Sequence, residues 1–305
     1  MPGGRRIEGD MTDIGEQAKP SFAVLPDLSA LFLARANRLA ALANGHELEP
    51  YLNFLSRLTH IQHTILGDLP AASLPEAAHM AQALEHGMPP LSRASIEPDA
   101  VMLATVERFV ARVAQESFEG ATADAVAALQ EALPSRGRDQ VASVLKETAP
   151  AEDLAQRVLI LAALQVHFGR LAAMLDAKAL KPVANACCPT CGSPPMTSSV
   201  VGWRAAPNTR YCTCGLCGTM WNVIRVMCVL CGATEGVSFR SIEGQPETVK
   251  AETCDACRGY VKIIYEVKDH TLEPLSDDVA SVGLDILLAE EGWKRGGQNP
   301  FLLGY

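Results

Sequence analysis

All ten cysteines of this 305-residue chain lie between Cys187 and Cys257, and eight of them recur at a fixed interval of forty residues. Cys188 and Cys191 return as Cys228 and Cys231, and Cys214 and Cys217 return as Cys254 and Cys257. Each unit is a Cys-x-x-Cys pair, 22 intervening residues and a second pair, and ten residues link Cys217 to Cys228. Self-similarity at a fixed period marks an internal duplication. Two residues between cysteines allow a tight turn to aim both sulfurs at one point, and the Gly after Cys191, Cys217 and Cys231 suits such a knuckle because positive φ costs it nothing. Two facing knuckles make a tetrahedral four-sulfur site, the geometry of a structural zinc or a single rubredoxin-type iron. Only the fourth knuckle departs, with Arg258 ahead of Gly259. Lobes of roughly 30–35 residues bury too little core to stand alone. A metal site worth on the order of 10 kcal/mol would make up the difference.

Other uses of paired cysteines stay open on spacing alone. A disulfide framework requires an oxidising compartment. Arg5-Arg6 is followed by Ile7-Glu8-Gly9-Asp10 rather than an apolar segment, so no export signal and a cytoplasmic location are expected. Thioredoxin-like chemistry uses a single pair at a helix N-terminus, and iron–sulfur clusters favour more compact or less symmetric spacings. Cys187 and Cys212 fall outside the duplicated frame, and Cys212 is expected to point away from the metal if its strand is extended. They motivate an alternative function, a thiol–disulfide oxidoreductase cycling its Cys-x-x-Cys pairs.

Around the cysteines the chain changes character. Hydrophobic residues make up 48% and charged residues 20%, enough for packed cores, and no apolar run reaches the roughly 20 residues of a membrane span. Before residue 182 the pattern is helical. Leu48, Tyr51, Leu52, Leu55, Leu58, Ile61 and Ile65 share a face. Asp27 and Asp99 are expected N-caps. Glu152 to Leu180 reads as a central buried helix ended by Lys181-Pro182. Gly67–Pro75, His86–Ser95 and Leu133–Gly137 read as joints between helices. Val200–Trp203, Trp221–Met227, Val237–Ile242 and Tyr260–Val267 read as short strands. Beyond Asp277, Val279, Val282, Ile286 and Ala289 suggest one closing helix. The fold class is α+β: an N-terminal α-helical domain, two tandem rubredoxin-like or zinc-ribbon-like lobes and a C-terminal helix. The expected divisions are a flexible tail over 1–20, the helical domain over 21–182, the first lobe over 183–222, the second over 223–270, and the closing helix and tail over 271–305.

The remaining signals are weaker. His60 and His63 sit at helical spacing, but two histidines without a nearby acid are a poor metal site. Trp203, Tyr211 and Trp221 are expected to form small cores beside the metals rather than base-stacking platforms. A net charge of -9 disfavours polyanions, and residues 185–270 carry eight Lys/Arg against seven Asp/Glu before thiolate charge is added. Nucleic acid is therefore not an expected partner. The loop Glu85-His86-Gly87-Met88-Pro89-Pro90-Leu91 is either a rigid joint or an exposed recognition loop. No nucleophile–base–oxyanion set, P-loop or dinucleotide fingerprint is present.

Taken in order, Glu85–Leu91, Cys188-Pro189-Thr190-Cys191-Gly192-Ser193-Pro194-Pro195, Arg210–Gly232, Ala251–Tyr265 and the tail from Asp277-Asp278 to Asn299-Pro300-Phe301-Leu302-Leu303 make the chain similar to the formate dehydrogenase accessory proteins of the FdhE type. The resemblance implies a non-enzymatic cytoplasmic maturation factor that binds the catalytic subunit of respiratory formate dehydrogenase before its export. It implies rubredoxin-type iron in two sites, with zinc as the alternative: Cys188, Cys191, Cys214 and Cys217 would hold one ion, and Cys228, Cys231, Cys254 and Cys257 the other. His86, Met88, Pro89 and Pro90 are the candidate partner-binding residues. No stable membrane insertion is implied, and a homodimer stays open. Cys187 and Cys212 depart from the family pattern, and Arg93 to Asp176 diverges from it.

Overall fold

A computed structural model describes residues 20–303. The expected N-terminal tail lies almost wholly outside these described residues. The first strand, β1 (Ala23–Val24), leads into six helices: α1 (Leu31–Ala43), α2 (Glu49–Thr64), α3 (Ala77–Glu85), α4 (Ala100–Val113), α5 (Ala121–Leu145) and α6 (Leu154–Ala173). The apolar face read from Leu52 to Ile61 is buried as expected. Asp99 caps α4, accepting from the Met102 N–H at 2.7 Å. Asp27 does not cap a helix; it closes a turn by accepting from the Ser29 N–H, and α1 starts four residues later.

Two helix boundaries differ from the sequence reading. Leu133–Gly137 is no joint: Pro134 lies inside the unbroken α5. Proline costs one backbone hydrogen bond, and the burial of Leu129, Ala132, Leu133 and Val141 along that helix outweighs it. The central helix α6 is buried over most of its second half, yet it stops at Ala173 rather than near Leu180. Met174 is exposed, and the Asp176 carboxylate takes the Lys178 N–H at 2.9 Å, so a side-chain turn ends the pattern before Pro182 does. Among the described residues no helix is long and apolar enough to cross a membrane.

Each duplicated unit folds as a three-stranded meander. The first is β2 (Pro195–Trp203), β3 (Ala206–Cys214) and β4 (Met220–Asn222); the second is β5 (Val237–Arg240), β6 (Val249–Cys254) and β7 (Gly259–Ile264). β3 and β6 pair antiparallel with β2 and β5, so a hairpin fills the stretch between the two cysteine pairs of each unit. The strand expected over Trp221–Met227 stops at Asn222, since Arg225 and Met227 turn their carbonyls toward the Arg210 guanidinium.

The two lobes are not beads on a string. Parallel pairing of β2 with β7, at Ser198–Ile263 and Ser199–Ile264, fuses them into one sheet of order β1-β4-β3-β2-β7-β6-β5. A short final strand, β8 (Lys294–Arg295), takes the other part of the β7 edge. At the fusion a buried ion pair crosses between lobes, with Arg210 Nη1 2.7 Å from the Glu252 carboxylate. Arg210 also donates to Ser198 Oγ.

The single closing helix expected at the C-terminus is two, α7 (Pro274–Ala280) and α8 (Val282–Glu290). Ile286 and Ala289 are exposed, so the proposed common face does not exist. The chain breaks at Ser281 because its hydroxyl and two acids converge on one buried cation. Lys262 Nζ lies 3.0 Å from Asp278 and 2.6 Å from Asp285, and 3.0 Å from Ser281 Oγ. Arg295 pairs with both acids, Asn299 donates to Asp278 at 2.8 Å and Tyr260 donates to Asp285 at 2.8 Å. On the other side of α7, Arg38 grips Asp277 and Arg35 pairs with Glu273, which ties the tail to α1.

Truncating one partner of a buried pair leaves a bare charge, so Arg210→Met is expected to destabilise the fold by roughly 3–5 kcal/mol. Arg210→Met combined with Glu252→Leu should recover most of that loss in guanidinium titrations, and additive losses would refute the pairing. Burial pushes the Glu266 carboxyl up from 4.5 to about 7. Between those values the folded state holds a proton the unfolded chain has released, so stability falls as pH rises through the window. Glu266→Gln should therefore flatten that slope and stabilise the protein above the window by up to about 3 kcal/mol. An unaltered melting profile from acid to neutral pH would contradict this.

Candidate metal centres

The four knuckles share one backbone pattern. In each, the N–H following the second cysteine donates to the carbonyl of the first: Gly192 to Cys188 at 2.9 Å, Gly218 to Cys214 at 3.2 Å, Gly232 to Cys228 and Arg258 to Cys254 at 2.8 Å. The donor residue has positive φ every time, 77°, 75°, 82° and 56°. Glycine accepts this freely, whereas Arg258 carries a cost of about 1–2 kcal/mol. Its guanidinium lies over the Trp293 ring at 3.9 Å, a contact glycine cannot make.

These turns bring the eight frame cysteines into two quartets, each with its sulfurs within 4.8 Å of one another. In the first, Cys188–Cys217 and Cys191–Cys214 are separated by 3.6 and 3.5 Å. In the second, Cys228–Cys257 and Cys231–Cys254 are separated by 3.8 and 3.7 Å. A disulfide would require about 2.05 Å. The edge of a tetrahedron with 2.3 Å metal–sulfur bonds is about 3.8 Å. The donor set therefore fits one tetrahedral ion per quartet and can hold a metal.

Burial pushes the Cys188 thiol well above its ordinary value and the Cys228 thiol up to about 12. A bound cation reverses that preference by stabilising the thiolates directly.

The first quartet sits where three parts of the molecule meet. Its cysteines are almost wholly buried, none more than 1% exposed. From α6, Gln165 donates to the Gly215 carbonyl at 2.6 Å, and Gln62 on α2 donates to Gln165 at 2.8 Å, so a buried amide relay joins helices to knuckle. The tail closes the other side: a Cβ on Gly215 would lie 2.9 Å from Gln298 O and from Pro300 Cδ. Neither the relay nor the role of Asn299-Pro300 is readable from spacing. Gln165, the polar residue that interrupts the apolar run Val158–Val166, is the one hint the sequence offers.

The loop singled out at Glu85–Leu91 runs across the first knuckle. Leu91 and Arg93 donate their N–H groups to the Thr190 and Cys191 carbonyls, both at 2.9 Å, and Pro89 packs over Gly192. Pro90 is buried and Pro89 half-buried, while His86 and Met88 are exposed. Cys187 and Cys212 belong to neither quartet and line one cleft with Phe22, Trp221 and Val229. Burial raises both thiols, Cys212 to about 12, the opposite of what a nucleophilic thiol needs. His60 and His63 take part in no metal-holding group among the described residues. Tyr211 and Trp221 are buried, and Trp203 stacks on Tyr211 at 5.2 Å, so these aromatics serve as core.

Comparison with known proteins is consistent along the whole chain. Three family descriptions match in order: "FdhE, N-terminal" over residues 20–185, "FdhE, central domain" over 187–225 and "FdhE, C-terminal domain" over 226–302. A "Protein FdhE homolog" of Rhizobium meliloti is 38% identical over 301 residues, 98% of each chain. One from Cronobacter sakazakii is 32% identical over 92% of this chain and 90% of its own. The crystal structure of the FdhE protein from Pseudomonas aeruginosa superposes with a TM-score of 0.81 at 30% identity, covering 93% of this chain and 99% of the other.

The assignment of ligands is tested by metal analysis. A Cys187→Ser, Cys212→Ser double variant should retain the metal content of the parent, whereas Cys228→Ser should lose one ion per chain. Loss of metal from the double variant would place one of these thiols in a centre and refute the two quartets.

Proposed function

Since the chain belongs to the FdhE family, we propose that it is an accessory factor for the maturation of respiratory formate dehydrogenase, acting as a cytoplasmic binding protein rather than an enzyme. Its partner on this reading is the catalytic subunit of that enzyme before export. The observation that carries the proposal is the pair of duplicated cysteine quartets, built on a helical domain whose family match runs through all three segments.

The chain's own residues provide the means. Eight cysteines hold two ions, taken as rubredoxin-type iron with zinc as the alternative. When bound, each ion offsets part of the thiolate charge and cross-links four chain positions, which stiffens the two knuckles it joins. Lys262 with Asp278 and Asp285, and Arg210 with Glu252, fix the lobes against each other and against the tail. The surface so held includes the exposed His86 and Met88, which stand on a loop pinned at its far end to a knuckle. A recognition loop anchored in this way loses little entropy on binding.

One observation favours the second reading, thiol–disulfide exchange. Cys231 is exposed, and a hydrogen bond from the Ala233 backbone lowers its thiol. A metal-held thiolate is a poor nucleophile, so the exchange reading requires metal-free protein to be the active form.

Co-expression of a tagged chain with the formate dehydrogenase catalytic subunit, carrying its export signal, decides between them. Co-purification of that subunit, weakened at least about tenfold in a His86→Ala, Met88→Ala double variant, is the expected result. Failure to retain the subunit with or without oxygen, together with reduction of a model disulfide by the metal-free chain, would overturn the accessory reading in favour of exchange.

A further inference from the structure

The two quartets are alike in spacing and unlike in cover. Around the first, Ser193 Oγ lies 3.3 Å from Cys191 Sγ and Thr219 Oγ1 lies 3.2 Å from Cys217 Sγ, with Thr219 bonded in turn to Thr190 at 3.0 Å. Forty residues on, these three hydroxyls are replaced by Ala233, Gly259 and Leu230. The backbone cover is also one-sided. Pro89 lies over Gly192, and Pro26 and Leu31 lie over Gly218, so the helical domain seals both knuckles of the first lobe. At the equivalent positions of the second lobe, the nearest neighbour of Gly232 is the polar Asn185 side chain, and Arg258 is itself exposed. Cys228 and Cys254 are buried, but Cys231 and Cys257 are open to solvent.

We propose that the two centres are divided in role. The quartet of Cys188, Cys191, Cys214 and Cys217 is a closed structural centre whose ion leaves only when the chain unfolds. The quartet of Cys228, Cys231, Cys254 and Cys257 is an exchangeable centre, which gives up or takes on its ion in the folded protein. Its exchange partners are small soft donors, thiols or chelating amines, that reach it from solvent. The step is a ligand substitution. Cys257 or Cys231 yields its Sγ–metal bond as the incoming sulfur or nitrogen lone pair forms a new one, the freed thiolate takes a proton from water, and no electron is transferred.

The fold tolerates an empty second centre because other forces hold that lobe. These are the β2–β7 pairing, the Arg210–Glu252 pair and the cluster around Lys262, none of which involves a second-lobe cysteine. The inference rests on the reading of both quartets as metal centres.

Protein loaded with two zinc ions per chain is challenged with excess 4-(2-pyridylazo)resorcinol, and N-ethylmaleimide labelling is mapped by peptide mass spectrometry in parallel. One ion is expected to leave at least about a hundredfold faster than the other, the gap between a solvent-open site and one reached by opening of the core. Labelling during the fast phase should fall on Cys231 and Cys257 first, with the first quartet protected until guanidinium is added. A Cys231→Ser, Cys257→Ser variant should hold one ion and keep only the slow phase. A single common rate, or fast labelling of the first quartet in the parent protein, overturns the division of roles. A chain that binds no zinc at all overturns it together with the metal reading on which it rests.

Discussion

Four buried sulfurs at 3.5–3.6 Å from their partners, with no disulfide among them, set the condition that the rest of the molecule satisfies. Such a group is stable as thiolates around a cation, and the surrounding chain must exclude water from it and hold its two knuckles in place. Three remote segments meet that need: the helical domain through Gln165, Pro26 and Leu31, the loop through Pro89 and Leu91, and the tail through Gln298 and Pro300. The first knuckle pair is therefore where the helices, sheet and C-terminus become one body.

Buried charge does the complementary work at the second lobe. Lys262 and Arg295 face Asp278 and Asp285, a balanced set with Asn299, Tyr260 and Ser281 filling remaining hydrogen-bonding capacity. Such clusters add little net stability over an apolar core of the same shape, but a mispaired arrangement leaves a bare charge and is heavily penalised. The cluster thereby selects one placement of α7, α8 and the tail. It also explains why Asp277-Asp278 and Asn299-Pro300 stand out in the sequence: they fasten the chain end rather than form a reactive site.

Legibility in the sequence followed how local each interaction is. The Asp99 cap, the face of α2 and the glycine-bearing knuckles all depend on residues within a few positions of one another, and each was readable. Misreadings came where distant packing overrode a local signal, or where a short side-chain turn at Asp27 or Asp176 competed with the helix. Pro134 is absorbed into α5 because the buried face of that helix outweighs one lost hydrogen bond. α6 ends at an Asp176 turn instead of at Pro182, and a buried Lys262 splits the final helix at Ser281. The fusion of two lobes through β2 and β7 had no sequence signal, because strand pairing across more than sixty residues leaves no periodic trace.

The spacing of cysteines by itself determined four knuckles in two matched units, since a Cys-x-x-Cys turn is closed by its own backbone and needs nothing from elsewhere. Tertiary structure alone decided that one quartet is sealed and the other opens to solvent through Cys231 and Cys257. Cover is supplied by residues far away in the chain, and hydrophobic periodicity marks which faces must be buried without saying against what.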